Sequence, residues 1–259
     1  MSAEPECPLC EGTGWKVLDR DGLTGVERCE CALADRVRRL EERANIPPLY
    51  REASFANFST LPDNPVANRI LTAAVTAARA YVRDFLPGAT RRGLLFLGEP
   101  GTGKTHLAVA VLRSLISRWG VEGVFFDYQH LLEKIRSGYD PASGASDREA
   151  YRVALEAEVL LLDDLGAHRV TEWVEDTITQ IITYRANHGK PLLATSNLRD
   201  PEAGDAPLPG GIAGEIAGKY YLAERIGPRA RSRLFEICRL ISTRGAEDYR
   251  LRKGRMAGL

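Results

Sequence analysis

The stretch Gly98-Glu99-Pro100-Gly101-Thr102-Gly103-Lys104-Thr105 has the form of a phosphate-binding loop. Residues 93–97 just before it form an apolar run, and residues 104–119 after it have apolar side chains at helical spacing. A strand, a glycine-rich turn and a helix N-terminus are the context in which this motif binds nucleotide phosphates through backbone N–H groups and the helix dipole. The alternative is a glycine-rich turn that occurs by chance and binds no nucleotide, but such a turn would rarely have both a strand before it and a helix after it. The stretch therefore predicts a nucleotide site.

Side chains of the loop and of a later strand supply candidate chemistry. We expect Lys104 to contact the β- and γ-phosphates and the Thr105 hydroxyl to ligate Mg²⁺. The apolar run 159–162 ends in Asp163 and Asp164, and a carboxylate at a strand end is a typical partner of phosphate-bound magnesium. Asp163 fits that role, and Asp164 is placed to polarise the attacking water. The plainer interpretation is an acidic turn at the end of a strand.

Four further residues are candidates for sensing or stabilising the γ-phosphate. Asn197 ends the next predicted strand and can reach the phosphate or the water if that strand lies beside the loop; otherwise it belongs to a turn. Arg229 and Arg233 share one face of a predicted helix. An arginine offered to a neighbour's ATP speeds hydrolysis about 10³–10⁵-fold in known cases, whereas the alternative here is a surface or DNA contact. Arg250 follows the last strand and can return to the nucleotide of its own subunit.

The first 31 residues contain four of the five cysteines. Cys7 and Cys10 form a C-x2-C pair, and Cys29 and Cys31 form a C-x-C pair after 18 intervening residues. Two thiolate pairs across a short loop suit a structural zinc ion with four protein ligands, whose binding energy would replace the missing hydrophobic core. The alternative is a disordered tail with unpaired or redox-active thiols. Cys238 lies in an apolar run and is most simply a core residue.

The rest of the chain alternates between strand and helix patterns, which predicts a parallel sheet covered on both faces, an α/β fold. We expect a zinc-binding module at residues 1–34, a linker with a charged helix and a Pro pair at residues 35–64, and a catalytic domain at residues 65–259. Further strands are predicted at 121–127, 159–163, 192–195 and 239–243. Further helices are predicted at 35–44, 67–85, 128–137, 147–156, 171–188 and 230–237, and residues 200–214 are predicted to be a loop.

Composition and charge limit the partners. The 259 residues carry no formal net charge, but residues 219–255 hold eleven Lys or Arg against four Asp or Glu. This basic end suits nucleic acid, a neighbour's nucleotide or an acidic partner, unless it is simply a solvated surface. No apolar run is long enough for a membrane span and no secretory signal is recognisable, so we expect a cytoplasmic protein without a membrane partner.

The ordered set of motifs resembles the AAA+ ATPases of the DnaC/DnaI helicase-loader group. The resembling stretches are Gly-Glu-Pro-Gly-Thr-Gly-Lys-Thr-His-Leu at 98–107, Leu-Leu-Asp-Asp-Leu-Gly at 161–166, Thr-Ser-Asn-Leu at 195–198, Ser-Arg-Leu at 232–234 and Asp-Tyr-Arg at 248–250. The segment 46–55 also resembles the stretch before the ATPase core of this group. The resemblance implies an AAA+ sheet with strand order 5-1-4-3-2, ATP and Mg²⁺ as cofactors, and a nucleotide contact at His106 beside the loop.

The same resemblance assigns roles. It makes Asp163 and Asp164 the Walker B pair, Asn197 sensor 1, Arg233 the arginine finger and Arg250 a sensor-2-like residue. It further implies that the zinc module binds the replicative DNA helicase, and that the ATPase core self-associates into an oligomer around single-stranded DNA. Candidate contacts to that strand lie after the second core strand, at Tyr128, Lys134, Arg136 and Tyr139.

Four functions compete on the sequence. The first is an ATP-dependent loader of the replicative helicase, which the four-cysteine module favours. The second is an IstB-type transposition-helper ATPase that binds duplex DNA. The third is a metabolite kinase, which the extra strand between the two nucleotide motifs argues against. The fourth is a zinc adaptor in which ATP is a structural switch with negligible turnover.

Overall fold

The computed structural model describes residues 7–20, 23–89, 92–138, 145–167, 170–204 and 221–256. The strands in these ranges are β1 (Trp15–Arg20), β2 (Leu23–Arg28), β3 (Gly93–Leu97), β4 (Gly123–Asp127), β5 (Val159–Asp163), β6 (Leu192–Ser196) and β7 (Cys238–Ser242). The helices are α1 (Glu30–Arg43), α2 (Pro65–Arg83), α3 (Lys104–Trp119), α4 (Tyr128–Ser137), α5 (Ala145–Glu156), α6 (Glu172–Asn187), α7 (Leu222–Ile226), α8 (Pro228–Ile237) and α9 (Tyr249–Met256).

A five-stranded parallel sheet in the order β4-β5-β6-β3-β7 forms the centre of the molecule. Counted from β3, which precedes the phosphate loop, this is the predicted order 5-1-4-3-2, and the predicted α/β class is confirmed. The strand β6 therefore lies between β3 and β5. Because all five strands are parallel, their carboxyl ends meet at one edge, which brings the phosphate loop, the acidic pair and Asn197 together.

Both faces of the sheet are buried, because successive strand residues point to opposite sides. One core contains Leu95, Leu97, Leu160 and Leu162 and is covered by α4, α5, α6, α7 and α8. The other contains Leu94, Phe96, Leu161 and Leu193 and is covered by α2 and α3. Side-chain caps begin several covering helices: Asn64 accepts from the Ala67 N–H at α2, Asp127 from His130 at α4, and Thr171 from Val174 at α6.

The amino-terminal region differs most from the sequence-based expectation. β1 and β2 pair as an antiparallel hairpin that the sequence pattern did not indicate. Helix α1 begins at Glu30, five residues before the predicted start, with Cys29 at its N-cap position. The charged stretch that predicted the helix is only its later part, because the first turn has the composition of the cysteine-rich module.

The segment after α1 packs into the core and covers an edge of the sheet. Ala44 is fully buried, and its carbonyl oxygen accepts from the N–H of Phe125 at 2.8 Å. The Asn45 side chain donates to the Phe125 carbonyl at 3.2 Å. These contacts use hydrogen-bonding groups of β4 that would otherwise be open to another strand. Within the described ranges, no helix combines the length and the apolar character needed to cross a membrane.

Candidate active site and cysteine cluster

The phosphate loop connects β3 to α3, and two of its glycines are required by its shape. Gly101 and Gly103 have φ angles of 76° and 89°, in the left-handed region that side chains disfavour. A Cβ on Gly101 would lie 1.9 Å from the carboxylate of Asp248, and one on Gly103 would lie 2.5 Å from the ring of Phe58. The loop is thus in close contact on two sides, with the C-terminal helix region and with the segment before α2.

Buried hydroxyl groups fix the loop to Thr243, the residue that follows the neighbouring strand β7. Thr102 donates to the Glu99 carbonyl oxygen at 2.8 Å, and its hydroxyl lies 2.7 Å from the hydroxyl of Thr243. The Thr243 N–H in turn donates to Leu97 at the end of β3. The Glu99 carboxylate accepts from the Gly245 N–H at 3.2 Å. The loop is therefore held in place by the chain itself, as preorganised phosphate binding requires.

Lys104 is the cation of the loop. Its ammonium group donates to the Glu99 carbonyl oxygen at 2.7 Å, and the residue is only 6% exposed. Burial lowers the pKa of Lys104 to about 8, although the nearby carboxylates of Asp164 and Asp163 oppose the shift. Within the described ranges no carboxylate forms a salt bridge with this ammonium group, so it is available to bind phosphate.

Asp163 lies at the end of β5, directly across from the loop. Its Oδ1 accepts from the Thr105 hydroxyl at 2.8 Å and from the Thr195 hydroxyl at 2.7 Å. Burial raises the pKa of Asp163, and the two hydroxyl donors oppose the shift. The donor set at this point is all oxygen, with a carboxylate beside a hydroxyl, which fits Mg²⁺ rather than a softer metal.

Asp164 and Asn197 face each other at the same edge of the sheet. The Asn197 amide donates to Asp164 Oδ1 at 2.5 Å, and the Asp164 N–H donates to the Thr195 hydroxyl at 2.9 Å. Asp164 has a φ of 57°, a strained conformation for a residue with a side chain. Burial raises its pKa, while the charges of Lys104 and Arg250 oppose that rise. The predicted base and the predicted sensor thus form one unit.

The remaining predicted residues lie around this centre. His106 Nε2 is 3.0 Å from the Ser54 carbonyl oxygen, and its ring meets Phe58 edge-on. Arg250 is exposed, lies 3.5 Å from the hydroxyl of Tyr50 and is near enough to Asp164 to affect its pKa. Arg233 pairs with Glu236 of its own helix at 2.7 Å, and 47% of its side chain is exposed.

Sequence reasoning missed four residues that support this site: Phe58, Thr195, Thr243 and Asp248. Thr195 and Asp248 lie inside motifs that were recognised, but roles were given only to their neighbours Asn197 and Arg250. A hydroxyl two residues before Asn197 points to the same side of the strand, and that periodicity was an available signal. Nothing in the sequence pattern marked Phe58 or Thr243.

The four N-terminal cysteines form one cluster. Their sulfur atoms all lie within 4.8 Å of one another, with 3.8 Å between Cys7 and Cys29 and 3.3 Å between Cys10 and Cys31. Zinc–sulfur bonds of about 2.3 Å around a tetrahedral ion place the sulfurs about 3.8 Å apart. The Gly14 N–H donates to the Cys10 sulfur at 3.4 Å, as expected beside a thiolate ligand. The donor set and its spacing fit zinc.

The candidate DNA contacts after β4 are separated by the fold. Tyr128 is fully buried in the core and is unsuitable for base stacking, so that expectation is wrong. Lys134 and Arg136 lie near the C-terminal end of α4, where Arg136 is exposed and Lys134 is partly exposed. Tyr139 falls outside the described residues, as does the part of the predicted 200–214 loop beyond residue 204.

The sheet order, the phosphate loop, the acidic pair at the end of β5 and the asparagine just after the intervening strand β6 define an AAA+ P-loop ATPase. The chain belongs to the IstB-like ATP binding protein family, whose model matches residues 30–202, more than half of its length. The resemblance to the DnaC/IstB type of AAA+ protein is thereby confirmed, and the chain is an ATP-binding protein of this class.

Individual relatives cover the ATPase core. Protein YqaM of Bacillus subtilis (strain 168) is 31% identical over 181 residues, which are 66% of this chain and 54% of YqaM. A protein of insertion sequence IS5376 from Geobacillus stearothermophilus is 30% identical over 166 residues, 64% of this chain and 58% of that protein. The crystal structure of the DnaC helicase loader is 32% identical with a TM-score of 0.59, covering 76% of this chain and 99% of that one. The chain thus spans little more than half of the first two proteins.

Proposed function

We propose that this chain is an ATP-dependent loader that binds the replicative DNA helicase and delivers it to single-stranded DNA. The observation that carries the proposal is the similarity to the DnaC helicase loader, which extends over nearly all of that solved chain. The cysteine cluster ahead of the ATPase core supports it, because a separate small module suits a separate partner.

ATP hydrolysis by this site follows from groups that the fold already holds together. The loop N–H groups and Lys104 bind the phosphates, and Asp164 accepts a proton from the attacking water or orients it. Asn197, bonded to Asp164, is positioned to report the presence of the γ-phosphate. Thr105 and Asp163 would hold Mg²⁺, which neutralises phosphate charge when bound. Many ATPases of this kind have a glutamate at the position of Asp164. Because the aspartate side chain is shorter, we expect slow basal turnover.

Completion of the site requires a second subunit. Arg233 is exposed on α8 and pairs with Glu236 of the same helix, so it is available to a neighbour. We therefore propose an oligomer in which Arg233 of one subunit stabilises the transition state in the next, while Arg250 serves the nucleotide of its own subunit.

A mixing experiment tests the shared site. The Asp164→Asn chain keeps Arg233 but cannot hydrolyse ATP, and the Arg233→Ala chain keeps an intact site without the arginine. Each should be nearly inactive alone, and an equimolar mixture should regain at least tenfold the turnover of either. A Lys104→Ala chain mixed with Asp164→Asn is the matched control and should stay inactive. Normal turnover by Arg233→Ala alone would refute the trans arrangement.

The cysteine cluster is proposed to bind one zinc ion and to form the helicase-binding module. Full-length protein with Cys7→Ala and Cys10→Ala should lose the metal, which is measured by mass spectrometry or a chromogenic chelator. It should also lose co-purification with the replicative helicase of the same organism, while ATP affinity stays within about twofold. Cys238→Ala, which removes the buried thiol of β7, is the control and should retain both. Helicase binding by the metal-free protein would contradict this division of roles.

Helicase loading is measured on single-stranded DNA that is coated with single-stranded-DNA-binding protein. Addition of this chain and ATP should allow the helicase to unwind an annealed oligonucleotide, and Lys104→Ala should abolish that stimulation.

A transposition helper is the second candidate, because the family model is IstB-like and an insertion-sequence protein is 30% identical. That function predicts ATP-dependent assembly on duplex DNA and no helicase binding. Comparing binding to fluorescent duplex and single-stranded oligonucleotides, together with helicase co-purification, separates the two.

A further inference from the structure

Two arginines tie the helix pair α7–α8 to the loops that follow Asp164 and Asn197. Arg225 of α7 donates to the carbonyl oxygens of Gly166 and Ala167 at 2.8 and 3.0 Å. These residues lie two and three positions after Asp164. Gly166 is also packed tightly, since a Cβ there would lie 2.4 Å from Leu198 and 3.2 Å from Arg225.

The second link is a two-point ion pair. Arg231 of α8 donates to both carboxylate oxygens of Asp200, at 2.7 and 2.6 Å. The Asp200 side chain is only 1% exposed, and Arg231 also stacks over Phe235 at 4.7 Å. Asp200 comes three residues after Asn197. The carbonyl oxygen of Arg199, the residue just before Asp200, accepts from the Leu222 N–H at 2.9 Å. Helix α8 is therefore fastened to the end of β6, next to Asn197, the proposed γ-phosphate sensor.

Arg231 lies on the face of α8 opposite to that of its neighbours Arg229 and Arg233. Residues two apart on an α-helix point about 200° away from each other. Arg231 accordingly faces its own subunit, whereas Arg229 and Arg233 on either side of it are exposed. One helix thus connects the sensor loop of a subunit to the arginines that this subunit offers outward.

We infer that Arg231 is the positioning residue for the trans-acting arginine: its ion pair with buried Asp200 couples α8, and with it Arg233, to the Asn197 loop of the same subunit. This inference rests on the proposed function, because it assumes that Arg233 acts on a neighbour. Bidentate arginine–carboxylate geometry fixes orientation as well as distance. Lysine can supply the charge of Arg231 but not its two parallel donors.

The mixing experiment described above assigns the effect to one side of the interface. The Arg231→Met change is placed either in the Asp164→Asn chain, which donates the arginine, or in the Arg233→Ala chain, which hydrolyses ATP. In the donor it should reduce the regained turnover at least tenfold, and in the acceptor by less than about threefold. Donor Arg231→Lys should be intermediate. Donor Arg152→Met, which removes two exposed ion pairs within α5, should have no effect.

Two controls make the result decisive. Thermal unfolding and ATP affinity of each variant show whether it folds and binds nucleotide. In addition, Arg231→Met should cause no further loss of turnover in an Arg233→Ala chain assayed alone, because the two residues act through one path. Equal losses from donor and acceptor, or none from either, would overturn the inference. If the unmodified mixture regains no turnover, the trans arrangement itself has failed, which is a different result.

Discussion

The Thr195→Val substitution tests how the acidic pair is held, because it removes one buried hydroxyl without changing side-chain volume. Thr195 is 2% exposed; its hydroxyl donates to Asp163 at 2.7 Å and accepts from the Asp164 N–H at 2.9 Å. A hydrogen bond to a charged group contributes about 1.5–3 kcal/mol, and an unsatisfied buried N–H costs about 1–3 kcal/mol. Since Asp163 keeps its bond from Thr105, we expect a net destabilisation of about 2–4 kcal/mol.

That loss corresponds to a fall in Tm of about 5–15 °C for a domain of this size, measured by calorimetry. Turnover should fall about 10–100-fold, as is typical when a residue that orients metal ligands is removed. The Mg²⁺ concentration for half-maximal activity should rise, because Asp163 loses a fixed orientation. Thr195→Ser keeps the hydroxyl and loses a methyl group, which costs about 1 kcal/mol, and should keep most of the activity. If Thr195→Ser is impaired as strongly as Thr195→Val, the hydroxyl has no special role.

Three further changes probe other parts of the structure. Gly101→Ala should abolish nucleotide binding because its Cβ meets the Asp248 carboxylate; adding Asp248→Ala should restore part of it, whereas no rescue would mean that backbone strain alone is responsible. Burial lowers the pKa of Lys104 to about 8, and bound phosphate favours the charged form of its side chain. MgATP binding should therefore be accompanied by uptake of a proton at pH 8.5 and by almost none at pH 7. For the same reason, the affinity for MgATP should fall above pH 8. Calorimetry in buffers of different ionisation enthalpy measures this uptake, and Lys104→Arg should abolish it. Arg185→Met should destabilise the fold by about 3–5 kcal/mol in denaturant titrations. The reason is that the fully buried guanidinium donates to five carbonyl oxygens, among them those at the end of α5. Arg185→Lys should retain only part of the lost stability.

Local sequence patterns were sufficient for the core of the fold. Bounds of α3 and α4 agree with the predicted 104–119 and 128–137 because their apolar spacing is regular and each end has a clear signal. The glycine-rich turn and the acidic strand end are likewise local features. The order of the strands came from the family resemblance, since no local pattern states which strands are neighbours.

Long-range contacts explain what the sequence could not supply. The partners Thr102 and Thr243 are 141 residues apart, and Arg231 and Asp200 are 31 apart. A threonine or an aspartate in a loop has no distinctive signature, so only the fold reveals these pairs. Tyr128 shows the opposite error: an aromatic residue after a strand resembles a stacking platform, but the first turn of α4 points it into the core.

The stretch after the cysteine cluster shows why its loss should leave ATP binding intact. Cys29 is the N-cap of α1 and Cys31 lies in its first turn, so release of the proposed zinc ion would loosen that end of the helix. The other end is held independently: the buried Ala44 bonds to β4, and Glu41 pairs with Arg113 of α3 at 3.1 Å.

Arg113 also donates to the Ala53 carbonyl, one residue before Ser54, whose carbonyl contacts His106 beside the phosphate loop. Helix α3 is about 24 Å long, and the linker contacts it from Gly120, just beyond its C-terminus, to its first turn. Under the proposed function, a helicase bound to the zinc-loaded module would therefore act on the phosphate loop through α1 and α3. If the cluster were lost, the same contacts would still support the loop, and we expect only the proposed connection to the partner to be broken.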